Sequence, residues 1–249
     1  MKKSRLVWAA VLALLLSVNL VVSAPARLLR LALPGEQLLM QGLAGTVWHG
    51  SASSALLRLP QGYVQLGTVH WSLRPLSLLL LAPHLTLHSE WGNQTLLGEL
   101  YLRGQRDLDV INLEGQVAAD LLGHFAPVAI DGMFKLQLQS LQLRDGLPYS
   151  AAGRLIWQDG GWRSPRGLVS LGSYAVDVQQ APGAALEGKV ITLSGPLQAS
   201  GTVQLQQRHY AVDILLAGEG AADPQLQQML SLIAVPEDAG FRIGIKGDF

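Results

Sequence analysis

Few side chains in this 249-residue chain could do chemistry. The imidazoles are His49, His70, His84, His88, His124 and His209. His84 and His88 have the spacing of a helical metal pair, which on a helix would aim both rings at one ion. They flank Leu85-Thr86-Leu87, however, whose alternation is that of a strand. Four strand residues separate side chains by about 13 Å, too far for one ion, so no metal site is expected. Asp107 and Asp109, with Glu114 nearby, are the candidate carboxylate pair. They sit between Gly104 and Val110-Ile111 without the aromatic platform that would suggest glycoside chemistry. Gly218-Glu219-Gly220 is half a phosphate loop, lacking the third glycine and any Lys-Ser or Lys-Thr. It reads better as a turn leading to Asp223. There is no cysteine, which removes thiol nucleophiles, disulfides and zinc-thiolate sites. Gly167-Leu168-Val169-Ser170-Leu171-Gly172 has the wrong spacing for a serine nucleophile elbow. No catalytic, cofactor-binding or metal-binding residue is therefore assigned, and the chain is expected not to be an enzyme.

Contact is the remaining option. Trp162 falls in Gly160-Gly161-Trp162-Arg163, read as a loop, and Arg163 and Arg166 are its closest basic pair. Trp162, Arg163 and Arg166 form the candidate partner contact; packing of that loop on a sheet is the alternative. Trp71 and Trp157 lie in strand patterns and are expected in the core. Basic residues are otherwise scattered, and 18 of them balance 18 acidic ones, so no nucleic-acid partner is expected.

The elements that would hold these residues are mostly strands. Apolar residues make up 49% and charged ones only 14%, which excludes a disordered chain. Lys2, Lys3 and Arg5 precede the 19-residue apolar run Leu6 to Ala24. As a helix this run spans roughly 28 Å, close to a hydrocarbon core. A cleaved signal peptide competes, with small residues at Val22-Ser23-Ala24, but Pro25 would then be first and the run exceeds a usual signal core. The basic residues orient the amino terminus inward, and Trp8 would anchor at the interface. Arg27 to Leu43 reads as a short helix, a break at Pro34-Gly35 and another helical turn. Leu76 to Ala82 is strand-sized.

After Gly45 the period becomes two. Val64 and Leu66, then Val69, Trp71 and Leu73 change parity across Gly67, predicting a bulge; Phe134, Leu136 and Leu138 change at Ser140 to Leu141 and Leu143. Tyr210, Val212, Ile214 and Leu216 form a further face, and Phe241, Ile243 and Ile245 another. Turn signals recur at Asn93, Gly104, Gly115, Asp145-Gly146, Asp159-Gly160-Gly161, Pro182-Gly183 and Gly195-Pro196, giving an antiparallel meander. One late helix is expected over Pro224–Ala234, capped by Asp223 and carrying Leu226, Met229, Leu230 and Ile233. The expected organisation is a cytoplasmic stub (1–5), a membrane signal-anchor (6–24), a juxtamembrane helical linker (25–44) and a β domain (45–249). The fold class is all-β, a curved antiparallel meander with one apolar face.

Particular segments then carry a resemblance. Leu43-Ala44-Gly45-Thr46-Val47-Trp48-His49-Gly50 is followed by Trp71-Ser72-Leu73-Arg74-Pro75-Leu76 and Gly153-Arg154-Leu155-Ile156-Trp157. Later come Gly195-Pro196-Leu197 and Tyr210-Ala211-Val212-Asp213-Ile214. In this order they resemble the type II secretion system protein N family over nearly the whole chain. The resemblance implies a single-pass inner-membrane subunit, with the bulk of the chain in the periplasm, that helps export folded proteins across the outer membrane by touching other subunits. The pattern is also similar to AsmA-like envelope proteins, which implies an alternative: a lipid carrier or conduit holding acyl chains in a sheet groove. A closed core would show the same alternation.

Overall fold

A computed structural model describes residues 2–29, 38–59, 62–79, 82–104, 106–124, 129–164, 166–231, 234–238 and 240–248. The chain divides into two compact units, Met1–Ser89 and Glu90–Phe249.

The first unit opens with helix α1 (Lys2–Val22), favoured by its leucines and alanines. Side chains at 2–7, 9, 10 and 14 lie outside the described residues. Among the described residues no helix is long and apolar enough to cross a membrane. One 3₁₀ turn, Ala26–Leu28, follows. The expected break at Pro34-Gly35 lies outside the described residues. Beyond it, Leu38–Gln41 is strand β1 rather than a helical turn. It pairs antiparallel with β3 (His49–Leu59), Leu39 opposite Leu56, so cross-strand packing overrides the helical spacing. Strand β2 (Ala44–Gly45) pairs with the start of β3, which also pairs with β4 (Gly62–Leu73). The bulge expected at Gly67 is present: Gly67 has φ +70° and faces Ala55, with register shifts on both sides. Pro75–Leu79, expected as strand, is helix α2, opened by proline at its first position and held where Ser77 Oγ donates to the Arg74 carbonyl at 2.6 Å. Strand β5 (His84–Trp91) ends the unit. Ala26, Ala52, Ala55, Val69 and Trp71 form its buried centre.

The second unit is a run of antiparallel neighbours. Its strands are β6 (Gln94–Leu102), β7 (Leu108–Ala118), β8 (Ile130–Arg144), β9 (Leu147–Ser164) and β10 (Gly167–Gln180). They continue as β11 (Leu186–Ser194), β12 (Gln198–Gln206), β13 (His209–Ala217), β14 (Val235–Glu237) and β15 (Gly240–Asp248). The order follows the sequence up to β13, and then β15 lies between β13 and β14. The expected faces meet in register, Leu216 on Phe241, Ile214 on Ile243 and Val212 on Ile245. A register shift between Leu138 and Ser140 marks the second expected bulge.

Two turn signals prove to be strand interior. Gly115 lies within β7, where a Cβ would stand 3.0 Å from Leu96 Cδ1. Asp159-Gly160-Gly161 lies within β9, with Asp159 at φ +50° and register shifts opposite Gly160. A Cβ on Gly160 would meet the Trp157 ring and the Gly172 carbonyl at 2.8 Å. These glycines serve bulging and close packing rather than chain reversal.

The late helix, α3, runs Pro224–Leu230, shorter than expected, and Ile233 lies outside the described residues. Asp223 Oδ1 caps it, accepting from the Gln225 and Leu226 amides at 2.8 and 3.2 Å. Leu226 and Leu230 are buried with Leu171, Leu197, Leu216 and Phe241, which fastens the helix to the apolar face of the sheet.

Candidate functional site

The candidate carboxylates each hold parts of the fold together. Asp109 is buried between two guanidinium groups, with Arg103 Nε at 2.5 Å and Arg144 Nη1 at 2.6 Å. Burial works to raise its pKa, but hydrogen bonds and charge from Arg144 and Arg103 prevail and hold it below the usual carboxylate value. Asp107 Oδ1 accepts from the Asp145 amide at 3.0 Å, binding the β6–β7 connection to the β8–β9 turn. Both acids thus fasten hairpin ends. His84 and His88 both lie on β5, His84 buried, and the His88 ring sits 6.4 Å from that of His70. Among the described residues no three histidine or acidic side chains converge as a metal site would require.

Two arrangements are built with more care. In the first unit, the Gly45–Gly50 and Trp71–Leu76 segments interlock. Trp48 Nε1 donates to the Val21 carbonyl at 2.8 Å, joining the Ala24 amide at 3.3 Å on an acceptor in the last turn of α1. Trp71 Nε1 donates to the Val47 carbonyl at 3.1 Å. The Leu73 amide donates to the Trp48 carbonyl at 2.7 Å, and the Val47 amide to the Ala24 carbonyl at 2.9 Å. Gly50 lies under the Trp71 ring, where a Cβ would come within 2.4 Å of Cζ2. The glycine gives the indole its place, and the two indoles tie β4 to the loop and the loop to α1.

In the second unit, an apolar cleft of about 620 Å³ lies between α3 and the sheet. Phe134, Trp157 and Tyr174 line one part of it, Leu226, Met229 and Leu230 another. Phe134 and Trp157 stack at 5.7 Å, and Trp157 meets Tyr174 at the same distance. Their polar atoms are spent on backbone: Trp157 Nε1 donates to the Asp131 carbonyl at 2.9 Å. Tyr174 Oη lies 2.7 Å from the Leu171 carbonyl and 2.8 Å from that of Leu197. Burial pushes the Tyr174 phenol up to about 12. Trp157 is half-buried here and Trp71 buried in the first unit.

The candidate contact residues stand at the margin of this cleft. Trp162 is not in a loop; it is in β9, pairs with Val169 and Ile130, and lines the cleft. Arg163 points elsewhere, its Nη2 2.9 Å from Asp131 Oδ2. Arg166 is exposed and lines a smaller, more polar depression with Ser164, Gln225 and Gln228. Sequence periodicity marked the apolar faces but not the cleft, because its walls come from distant strands and a helix.

The family model for type II secretion system (T2SS), protein N matches residues 36–244. The chain is similar to the type II secretion system protein N of Klebsiella pneumoniae, 29% identical over 90% of this chain and 93% of that protein. It is similar to that of Vibrio cholerae serotype O1, 28% identical over 90% of each. With that of Aeromonas hydrophila it shares 26% identity over 89% of each. No solved structure matches the chain.

Proposed function

The chain belongs to the type II secretion system protein N family, and on that premise we propose that it is a membrane-tethered subunit of a secretion machine that works by contact rather than catalysis. The match over residues 36–244 carries this reading, because it spans the β-structure of both units. The support for a tether is in the sequence. Lys2, Lys3 and Arg5 stand before an apolar run from Leu6 to Ala24, long enough to span a bilayer as a helix. On this reading the amino terminus is cytoplasmic, the rest lies in the periplasm, and the partners are other subunits of the same system. The role is to assist passage of folded proteins across the outer membrane.

The Trp48–Val21 hydrogen bond gives the tether a mechanical sense, since it joins the end of α1 directly to the β-structure of the first unit. A tethered domain stays at high effective concentration beside membrane partners. The test combines topology with partnership. Reporter fusions after Gly50 and after Phe249 should both be active only as periplasmic reporters. The intact chain, solubilised from membranes of its source, should bring other secretion-system subunits with it on affinity capture. Cytoplasmic reporter activity, release of the chain by osmotic shock or capture of the chain alone would overturn the reading.

A further inference from the structure

The cleft of the second unit has the features of a small-molecule site. We propose that it binds a single-chain amphiphile with an acidic head, its tail between α3 and the sheet and its head at Arg166. This goes beyond the secretion role and does not rest on it.

Three observations identify the ligand class. The first is the wall. Among the described residues the only buried side-chain polar atom without a hydrogen bond is Gln180 Oε1, and Gln180 is not in the lining. Tyr174 and Trp157 have already committed their polar atoms to backbone carbonyls. A peptide laid in the cleft would bury its own amide groups with these lining groups already engaged, at a steep cost. A hydrocarbon tail carries no such groups.

The second observation is size. A volume of about 620 Å³ is within the range of ligand pockets. At roughly the 30 Å³ that a water occupies in the liquid, it holds on the order of twenty methylene-sized groups. That suits one long tail and not two.

The third is the margin. Trp162 and Met229 line both the apolar cleft and the polar depression, so the two are continuous. In the depression, Ser164 Oγ contacts the Gly167 carbonyl at 2.8 Å and Gln225 Oε1 at 3.1 Å, and accepts from the Arg166 amide at 3.2 Å. Arg163 is neutralised by Asp131, whereas among the described residues Arg166 has no acidic partner. A guanidinium with no acidic partner among the described residues, beside an apolar cleft, favours a carboxylate or phosphate head over a neutral one.

The test uses the full chain in nanodiscs of zwitterionic phosphatidylcholine and a palmitic acid probe with a diazirine near its methyl end. Irradiation should label cleft residues such as Val190, Leu197 and Leu216. Competing fatty acids should gain about fourfold in potency for each added methylene until the cleft is full. Palmitate should compete at least tenfold better than its methyl ester, and Arg166→Gln should erase that difference while keeping the dependence on tail length. Met229→Trp, at the cleft margin, should suppress labelling without changing thermal unfolding. Labelling confined to α1, equal competition by acid and ester in the unaltered chain, or no chain-length dependence would overturn the proposal. Cleft residues left unlabelled, yet shielded from oxidative footprinting by other membrane proteins of the source, would overturn it in favour of a polypeptide occupant.

Discussion

Trp48 Nε1 and the Val21 carbonyl are 2.8 Å apart, so a tryptophan from the Gly45–Gly50 segment bonds to the last turn of helix α1. The same segment is held from the other side by Trp71, whose indole reaches the Val47 carbonyl at 3.1 Å. The chain from helix end to loop to strand is therefore continuous hydrogen bonding through two indoles. Trp48→Phe keeps most of the ring but removes the donor, and should cost about 1 kcal/mol of local stability. Amide exchange at Val47, which donates to Ala24, should accelerate about fivefold. Unchanged protection there would show that the indole bond does not hold the helix end.

Asp109 is the acid whose loss should be felt most. Asp109→Asn removes the charge facing Arg103 and Arg144 and should destabilise the second unit by about 2–3 kcal/mol. The pH dependence has a definite sign. The folded-state pKa lies below the unfolded value of about 3.9, so the contribution is fully present above that value. It is lost as pH falls through the folded-state pKa. Denaturant midpoints between pH 7 and pH 3 should fall more steeply for the unaltered protein than for Asp109→Asn. Parallel curves would contradict this assignment.

Tyr174 should behave as a structural phenol. Its hydroxyl is buried against two carbonyls, and its pKa is raised to about 12. Because the folded-state value exceeds the unfolded one of about 10, its contribution is intact below pH 10 and declines as pH rises towards 12. Ultraviolet titration should contain a phenol ionising near pH 12 that is absent from Tyr174→Phe. That variant should also lose about 1–2 kcal/mol, since a carbonyl is left without its donor. An unchanged high-pH titration in the variant would rule out Tyr174 as the source.

Alternating residues such as Phe241, Ile243 and Ile245 made strands readable, because burial of one face imposes a period of two on sequence. Asp223-Pro224 marked the start of α3 for an equally local reason, the side-chain cap and the fixed proline φ. Gly115, Gly160 and Gly161 misled, since a glycine that admits a neighbouring side chain or carbonyl looks in sequence like one that turns the chain. Leu38 and Leu39 misled because strand or helix was decided by pairing with β3, a partner that local spacing does not reveal. Trp162 and Arg166 were legible as residue types suited to contact. Their place beside a cleft was not, because Val190, Ile214 and Leu226 reach it from separate elements.

The central claim is that the chain serves secretion as a tethered, non-catalytic part. The direct measurement is the fraction of a secreted enzyme trapped in the periplasm of a strain lacking this chain and complemented with variants. The intact chain, and chains with His84→Ala, His88→Ala or Asp107→Ala, should restore release to near the parental level. A chain with residues 6–24 replaced by a cleavable signal should leave most of the enzyme trapped at native expression and recover in part when overproduced. Full release by the untethered form at native expression, or loss of release from one histidine change in a protein that still folds, would contradict the account.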